Sequence, residues 1–417
     1  MNPLLGLPVP TRPTGVRTLT LCSILGTLFI GGAWSTGTLE HVPGIYLTGV
    51  SRNIAELPRP TGPYPIGTVF YDWTDISREE QWSTVSGKSR ELMVQVWYPA
   101  DSTAGLPAEP YVPDFDRLKG SLNRDWPGMP SFKTHAVLGA PLLPAQKRYP
   151  VLVFSHGMNS ARFFYTAVLE ELASYGYIVA AIDHTYWGPG VAFPHGRIIP
   201  YEDGMDAIDK LTSDEIDQMM WAGVSVMVAD EVFVERKIAE LDSDKSVSNP
   251  FRNRLDLSRV GAIGHSMGGQ AATRACLEYT VFQACACLDG LNPFFYLRPK
   301  PSRKPFLLLL NSTWGTSIIS QSLAKRYLAA WDAPEVFVVR GTKHNSFDDT
   351  PLLNPDERAQ APSDPIRAHS VIAATVVAFF NRSFGYPIPT ALNPDLKRDL
   401  LPIDLKQIAE GNSTPRN

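Results

Sequence analysis

The chain has 417 residues, enough for two domains, and its 44% hydrophobic content is that of an ordinary globular enzyme. Its 38 Lys and Arg against 42 Asp and Glu give a formal net charge of −4, so it lacks the basic surplus needed to neutralise a phosphate backbone, and nucleic acid is not an expected partner. Four cysteines are too few for a disulfide scaffold.

From the N-terminus, an apolar stretch from Leu19 to Trp34 follows Arg12 and Arg17 with no acid before it. At about 16 residues it fits a signal-peptide core better than the ~20 residues of a full membrane span. Residues 1–35 are therefore expected to be a signal peptide or an N-terminal anchor, with a buried helix as the bland alternative. The membrane-related readings put the body of the protein outside the cytoplasm, secreted or tethered at a membrane. Residues 36–60 read as a linker ending in Leu57-Pro58-Arg59-Pro60, residues 61–385 as one catalytic domain, and 386–417 as a C-terminal tail.

Leu92 to Tyr98 fits an antiparallel opening strand. The apolar runs at 149–154, 177–183, 259–264, 284–289, 305–311 and 335–340 fit parallel strands buried on both faces. Helical stretches alternate with them, which predicts an α/β protein with a mostly parallel, doubly wound sheet. Between the strand ending at Asp183 and the one starting at Arg259 lie about 75 residues, more than a crossover needs. Within them Asp214 to Leu241 reads as one long helix with Ser213 as its N-cap, and residues 187–253 as a lid-like insertion. Its Met-rich stripe either packs on the sheet or contacts lipid.

The chemistry concentrates in Gly264-His265-Ser266-Met267-Gly268-Gly269, which follows the strand residues Val260–Ile263 and precedes a helix-forming run. Strand, G-x-S-x-G, helix is the nucleophile elbow of an α/β-hydrolase, and it makes Ser266 the candidate nucleophile. A serine hydroxyl needs a base, and the base an orienting acid, in the chain order Ser, Asp/Glu, His. His344 lies in a polar loop after the strand at 335–340, whereas His369 sits inside the closing helix, so His344 is the candidate base. Asp289 follows the strand at 284–288 and is the candidate acid; Asp332 precedes a strand, at the wrong end of the sheet. The backbone N–H groups of Met267 and of Met158, in the loop Ser155-His156-Gly157-Met158-Asn159, are the expected oxyanion donors, with Asn159 only one residue from the second. Cys285 and Cys287 share one strand face and are expected as buried thiols; a metal reading of C-x-C has no further ligand in sequence range.

Beyond the fold, Gly62-Pro63-Tyr64-Pro65-Ile66-Gly67, Val94 to Pro99, Val153-Phe154-Ser155-His156-Gly157, Ile178 to His184, the elbow and Leu288-Asp289 resemble the plasma-type platelet-activating factor acetylhydrolases and their microbial relatives, over roughly residues 60–385. Position by position, the resemblance implies Ser266, Asp289 and His344 as the triad and the amides of Met158 and Met267 as oxyanion donors. It implies a serine carboxylester hydrolase that acts through an acyl-enzyme on short or oxidised sn-2 acyl groups of phospholipids, or on related small esters. No metal or cofactor is required, and a lipid surface is a possible site of association. A broad esterase, lipase or polyester hydrolase shares every catalytic residue. An acyltransferase and a non-catalytic binding protein on the same fold are more distant alternatives.

Overall fold

The computed structural model describes residues 56–83, 85–122, 128–144, 148–200, 212–246, 248–291, 302–313, 327–386 and 393–403. The expected leader, residues 1–35, lies outside them. Eleven strands form one sheet in the order β13-β12-β11-β10-β9-β5-β6-β2-β1-β4-β3. Its centre is the parallel set β5 (Tyr149–Ser155), β6 (Ile178–Asp183), β9 (Leu255–His265), β10 (Ala284–Leu288), β11 (Phe306–Leu310) and β12 (Glu335–Val339). Each expected parallel strand is present, with bounds shifted by a few residues at most. The opening hairpin, β1 (Ile66–Glu79) and β2 (Ser89–Pro99), joins this set through an antiparallel pairing of β2 with β6. Two short strands, β3 (Ala108–Pro110) and β4 (Lys133–Leu138), extend that edge. A separate small hairpin is made by β7 (Gly190–Ala192) and β8 (Ile198–Pro200).

The apolar runs are continuous because both faces of the central strands are covered. Leu152 and Phe154 point into one hydrophobic cluster with Leu169, Leu172, Val376 and Phe380 of helices α1 (Thr166–Ser174) and α4 (Pro365–Phe384). Val151 and Val153 point into the other, with Val224, Met227 and Ala271 of α2 (Ser213–Ser243) and α3 (Met267–Glu278). Each such fully buried aliphatic side chain contributes about 1.5–3 kcal/mol relative to exposure.

The long helix starts one residue earlier than its sequence suggests. Thr212, not Ser213, is the N-cap: its hydroxyl accepts from the Glu215 N–H at 3.3 Å and the Glu215 carboxylate accepts from the Thr212 N–H at 2.8 Å. Its apolar stripe packs on the sheet and on α3, and this helix crosses between β6 and β9. Two expected flanking segments also join the domain. Leu57 is buried and donates its N–H to Lys133, and β13 (Leu400–Pro402), from the expected tail, adds to the sheet edge beside β12. The cysteines depart from the expectation of free thiols, because Cys276 of α3 is disulfide-bonded to Cys285 of β10 with their Cα atoms 6.3 Å apart. Sequence spacing compared strand neighbours only, whereas the partner comes from the helix lying over the strand. Cys287 stays a buried thiol.

His369 lies within α4, as expected, and burial pushes its imidazole down to about 4 from an ordinary 6.5. The unfolded chain then takes up a proton between pH 6.5 and 4 that the folded chain refuses, so this group costs stability as pH falls through that window and nothing above it. His369→Gln should flatten the pH dependence of the urea midpoint between pH 4 and 6.5 while preserving turnover at pH 7. An unchanged slope would show that His369 does not report the shift.

Candidate active site

Three parallel strands deliver three side chains to one end of the sheet. At the end of β9 the chain reverses through Ser266, which holds φ 53° and ψ −121° at the N-cap of α3. This strained conformation is stabilised by a tight approach on both sides. A Cβ on Gly268 would lie 2.2 Å from the Ser155 carbonyl oxygen, and one on Gly264 would lie 2.3 Å from the Gly268 carbonyl oxygen, so only glycine fits at either position. The Ser266 N–H donates to the Leu288 carbonyl at 2.9 Å, tying the turn to the end of β10.

Asp289 is the next residue after β10, with φ 49° and 4% of its surface exposed. It is held by Asn311 at the end of β11, whose backbone N–H donates to Oδ1 at 2.9 Å and whose side-chain amide donates to Oδ2 at 2.7 Å. Oδ2 also faces His344 Nδ1 at 2.6 Å, and His344 Nε2 lies 3.0 Å from Ser266 Oγ. His344 opens a short 3₁₀ turn after β12, and its side chain is 48% exposed, open to a substrate. The candidates from three loops thus form one hydrogen-bonded row. Asp332 and His369 are outside it: Asp332 is exposed beside Arg303, and His369 is in α4. His265, Asp289 and His344 also bring ligand atoms within 4.8 Å of one another, but His344 and Asp289 are already committed to each other and to Ser266.

The loop after β5 carries the second amide. Of its successive N–H groups, Gly157 donates to the Tyr165 hydroxyl at 3.1 Å, Asn159 to the Trp187 carbonyl at 2.9 Å and Ser160 to the Gly157 carbonyl at 3.2 Å. The Met158 N–H takes part in none of these bonds. Gly157 itself lies against the nucleophile, since a Cβ there would be 3.2 Å from Ser266 Cβ.

Sequence reasoning missed the supporting residues. Tyr165 also bonds His265 Nδ1 at 2.8 Å, and the His265 ring packs 4.6 Å from that of His344. Asn311 could have been suspected only as a polar residue closing an apolar strand. Below the site lies a second serine–histidine–aspartate row: Ser155 Oγ is 3.0 Å from His184 Nε2, and His184 Nδ1 is 2.8 Å from Asp230 Oδ2. All three are buried and cannot meet a substrate. Burial opposes the Asp230 charge, but Arg90, His184 and Arg78 outweigh it and keep the carboxyl ionised. His184 therefore directs its Nδ1–H to Asp230, and its Nε2 accepts the Ser155 proton. Glu231 Oε1 also lies 2.6 Å from Ser155 Oγ, and burial pushes its carboxyl well above the usual range.

The family model for platelet-activating factor acetylhydrolase, isoform II, matches residues 49–187 and 229–386. A platelet-activating factor acetylhydrolase of Cavia porcellus is 24% identical over 330 residues, covering 70% of this chain and 69% of its own. A probable 1-alkyl-2-acetylglycerophosphocholine esterase of Arthroderma benhamiae is 26% identical over 332 residues, covering 71% and 77%. Among solved structures, a ferulic acid esterase from Streptomyces cinnamoneus superposes with a TM-score of 0.69 at 29% identity, covering 84% of this chain and all of that one.

Asn311→Ala removes one of three donors from a buried carboxylate, a loss worth about 1.5–3 kcal/mol for a charge-assisted hydrogen bond. It should lower kcat for a p-nitrophenyl ester by roughly 10–100-fold with little change in KM. Wild-type kcat in a folded variant would show that Asp289 needs no such support.

Proposed function

From the premise that the chain belongs to the platelet-activating factor acetylhydrolase isoform II family, and is a carboxylester hydrolase, we propose that Ser266 is its nucleophile, His344 its general base and Asp289 the acid that orients the base. The observation that carries this reading is the continuous Ser266–His344–Asp289 row at 3.0 and 2.6 Å, open to solvent at His344. His344 Nε2 takes the hydroxyl proton as Ser266 Oγ attacks the ester carbonyl. Negative charge then develops on the former carbonyl oxygen, where the N–H groups of Met158 and Met267 stabilise it. The imidazolium returns the proton to the departing alcohol, and the acyl group remains on Ser266. Water, deprotonated by the same imidazole, releases the acid. Asp289 keeps the Nδ1–H tautomer in place and offsets the transient positive charge.

The substrate is a phospholipid with a short or oxidatively truncated sn-2 acyl chain. Support comes from the relatives, one named a platelet-activating factor acetylhydrolase and another a probable 1-alkyl-2-acetylglycerophosphocholine esterase. The structural likeness to a ferulic acid esterase favours one second reading, an esterase for aromatic acyl groups. For its location, export or tethering outside the cytoplasm is supported by the apolar segment at 19–34 behind two arginines and by the Cys276–Cys285 disulfide, which persists in oxidising compartments. No helix among the described residues is long and apolar enough to cross a membrane, and the apolar segment lies outside them.

Ser266→Ala should reduce ester turnover by several orders of magnitude with the fold intact, because it deletes the nucleophile from a turn and little else. More than a few per cent of wild-type turnover would remove Ser266 from the role. If the substrate carries a short sn-2 chain, kcat/KM across esters of graded chain length should peak between acetyl and hexanoyl and then fall, one methylene in a hydrophobic pocket being worth about 1–3 kcal/mol. Equal activity on palmitoyl esters would leave a general lipase, and a preference for feruloyl esters would favour the aromatic reading.

A further inference from the structure

The residue before the oxyanion loop's glycine is a fully buried histidine whose ring does not touch Ser266, Asp289 or His344 in any hydrogen bond, and whose proton can be placed from its neighbours alone. The backbone N–H of His184 points at His156 Nε2 at 3.1 Å. A backbone N–H is always a donor, so Nε2 must present its lone pair. The proton of the neutral ring is thereby forced onto Nδ1, which lies 2.7 Å from the Gly157 carbonyl oxygen and donates to it. Burial first, and then the neighbouring His184, hold the imidazole well below its ordinary range, which keeps it neutral. His184 is itself fixed by the buried row through Asp230 and Ser155, so the donor that sets the tautomer cannot drift.

The consequence reaches the nucleophile through one peptide plane. In a planar trans peptide the C=O and N–H point in opposite directions. The Gly157 carbonyl is turned inward, onto His156 Nδ1–H and the Ser160 N–H at 3.2 Å, so the Met158 N–H of the same peptide is turned outward. Gly157 lies against Ser266, so this peptide borders the nucleophile. Rotating the plane by half a turn would bury the N–H and present a carbonyl oxygen to the oxyanion, replacing attraction by repulsion.

We propose that His156 is a positioning residue for catalysis: by donating Nδ1–H to the Gly157 carbonyl, it locks the Gly157–Met158 peptide in the orientation that offers the Met158 N–H to the oxyanion. The inference rests on the reading of Met158 as an oxyanion donor. It assigns His156 no contact with substrate.

The test compares His156→Phe, which keeps a ring but has no donor, with His156→Asn, whose amide nitrogen occupies the place of Nδ1 and can still donate. His156→Phe should lower kcat about 100-fold, the size of losing one oxyanion donor, with KM within about threefold of wild type. His156→Asn should recover at least about tenfold of that loss even if both variants melt at similarly reduced temperatures. A folded His156→Phe with kcat close to wild type, or a His156→Asn as impaired as His156→Phe, would overturn the proposal. If neither variant folds, nitrogen NMR of the wild-type protein labelled at histidine decides: a neutral His156 protonated at Nδ1 is expected, and protonation at Nε2 overturns it. A crystal structure of the wild-type protein phosphonylated at Ser266 tests the underlying reading separately. The phosphoryl oxygen should sit on the Met158 N–H, and its capture by other donors would sink the oxyanion assignment whatever the variants do.

Discussion

The approach of Gly268 to the end of β5 is the constraint on which the rest of the site depends. A Cβ at 268 would lie 2.2 Å from the Ser155 carbonyl oxygen and 2.4 Å from that of His156, so the first turn of α3 lies directly on the strand that carries the oxyanion loop. This contact lets Ser266 sit at φ 53° with its hydroxyl clear of both elements. It also brings the N-terminal amide of α3 and the loop at Gly157 to the same place. The proposed nucleophile and oxyanion donors are therefore one packing unit, and a shift in one is a shift in the other.

Two serine–histidine–aspartate rows lie within this unit, and burial decides which one a substrate can reach. Ser266 stands on a turn between strand and helix, and its histidine is half exposed. Ser155 ends a strand, its histidine follows β6 and its aspartate lies on α2, and all three are buried. The buried row carries unusual electrostatic weight. Arg90 donates to both Asp230 and Glu80, and Arg78 adds a second cation to Asp230. Burying such charges is costly unless every partner is present, so removing one member costs far more than the row contributes as a whole. Its benefit is a fixed direction for each proton, which a set of apolar side chains could not provide.

The same logic governs Asp289. Its carboxylate is buried but accepts from Asn311 twice and faces His344, so its lone pairs are aimed rather than solvated. Because Asn311 ends β11, Asp289 follows β10 and Ser266 follows β9, neighbouring strands in register bring consecutive members of the site together. His344, from the turn after β12, reaches across to join Asp289 to Ser266.

The elbow was legible in the sequence because its demands are local: glycines where no Cβ fits, a strand before and a helix after. The strands were legible for a similar reason, since two-sided burial leaves an unbroken apolar run. His344 could be chosen over His369, and Asp289 over Asp332, because position at the end of a strand is a property of the linear chain. What the sequence could not contain is pairing between distant segments. Cys276 meets Cys285 only because α3 lies across β10, β13 joins the sheet only once β12 offers an edge, and the stripe of α2 packs on the sheet because that face is apolar. The difference between Met158 and Asn159 belongs to the same class: both carry an N–H, and only the folded chain brings the Trp187 carbonyl to that of Asn159 and His156 to the Gly157 carbonyl. Residue types and their local spacing determined which chemistry was available; three-dimensional proximity decided which atoms were left free to perform it.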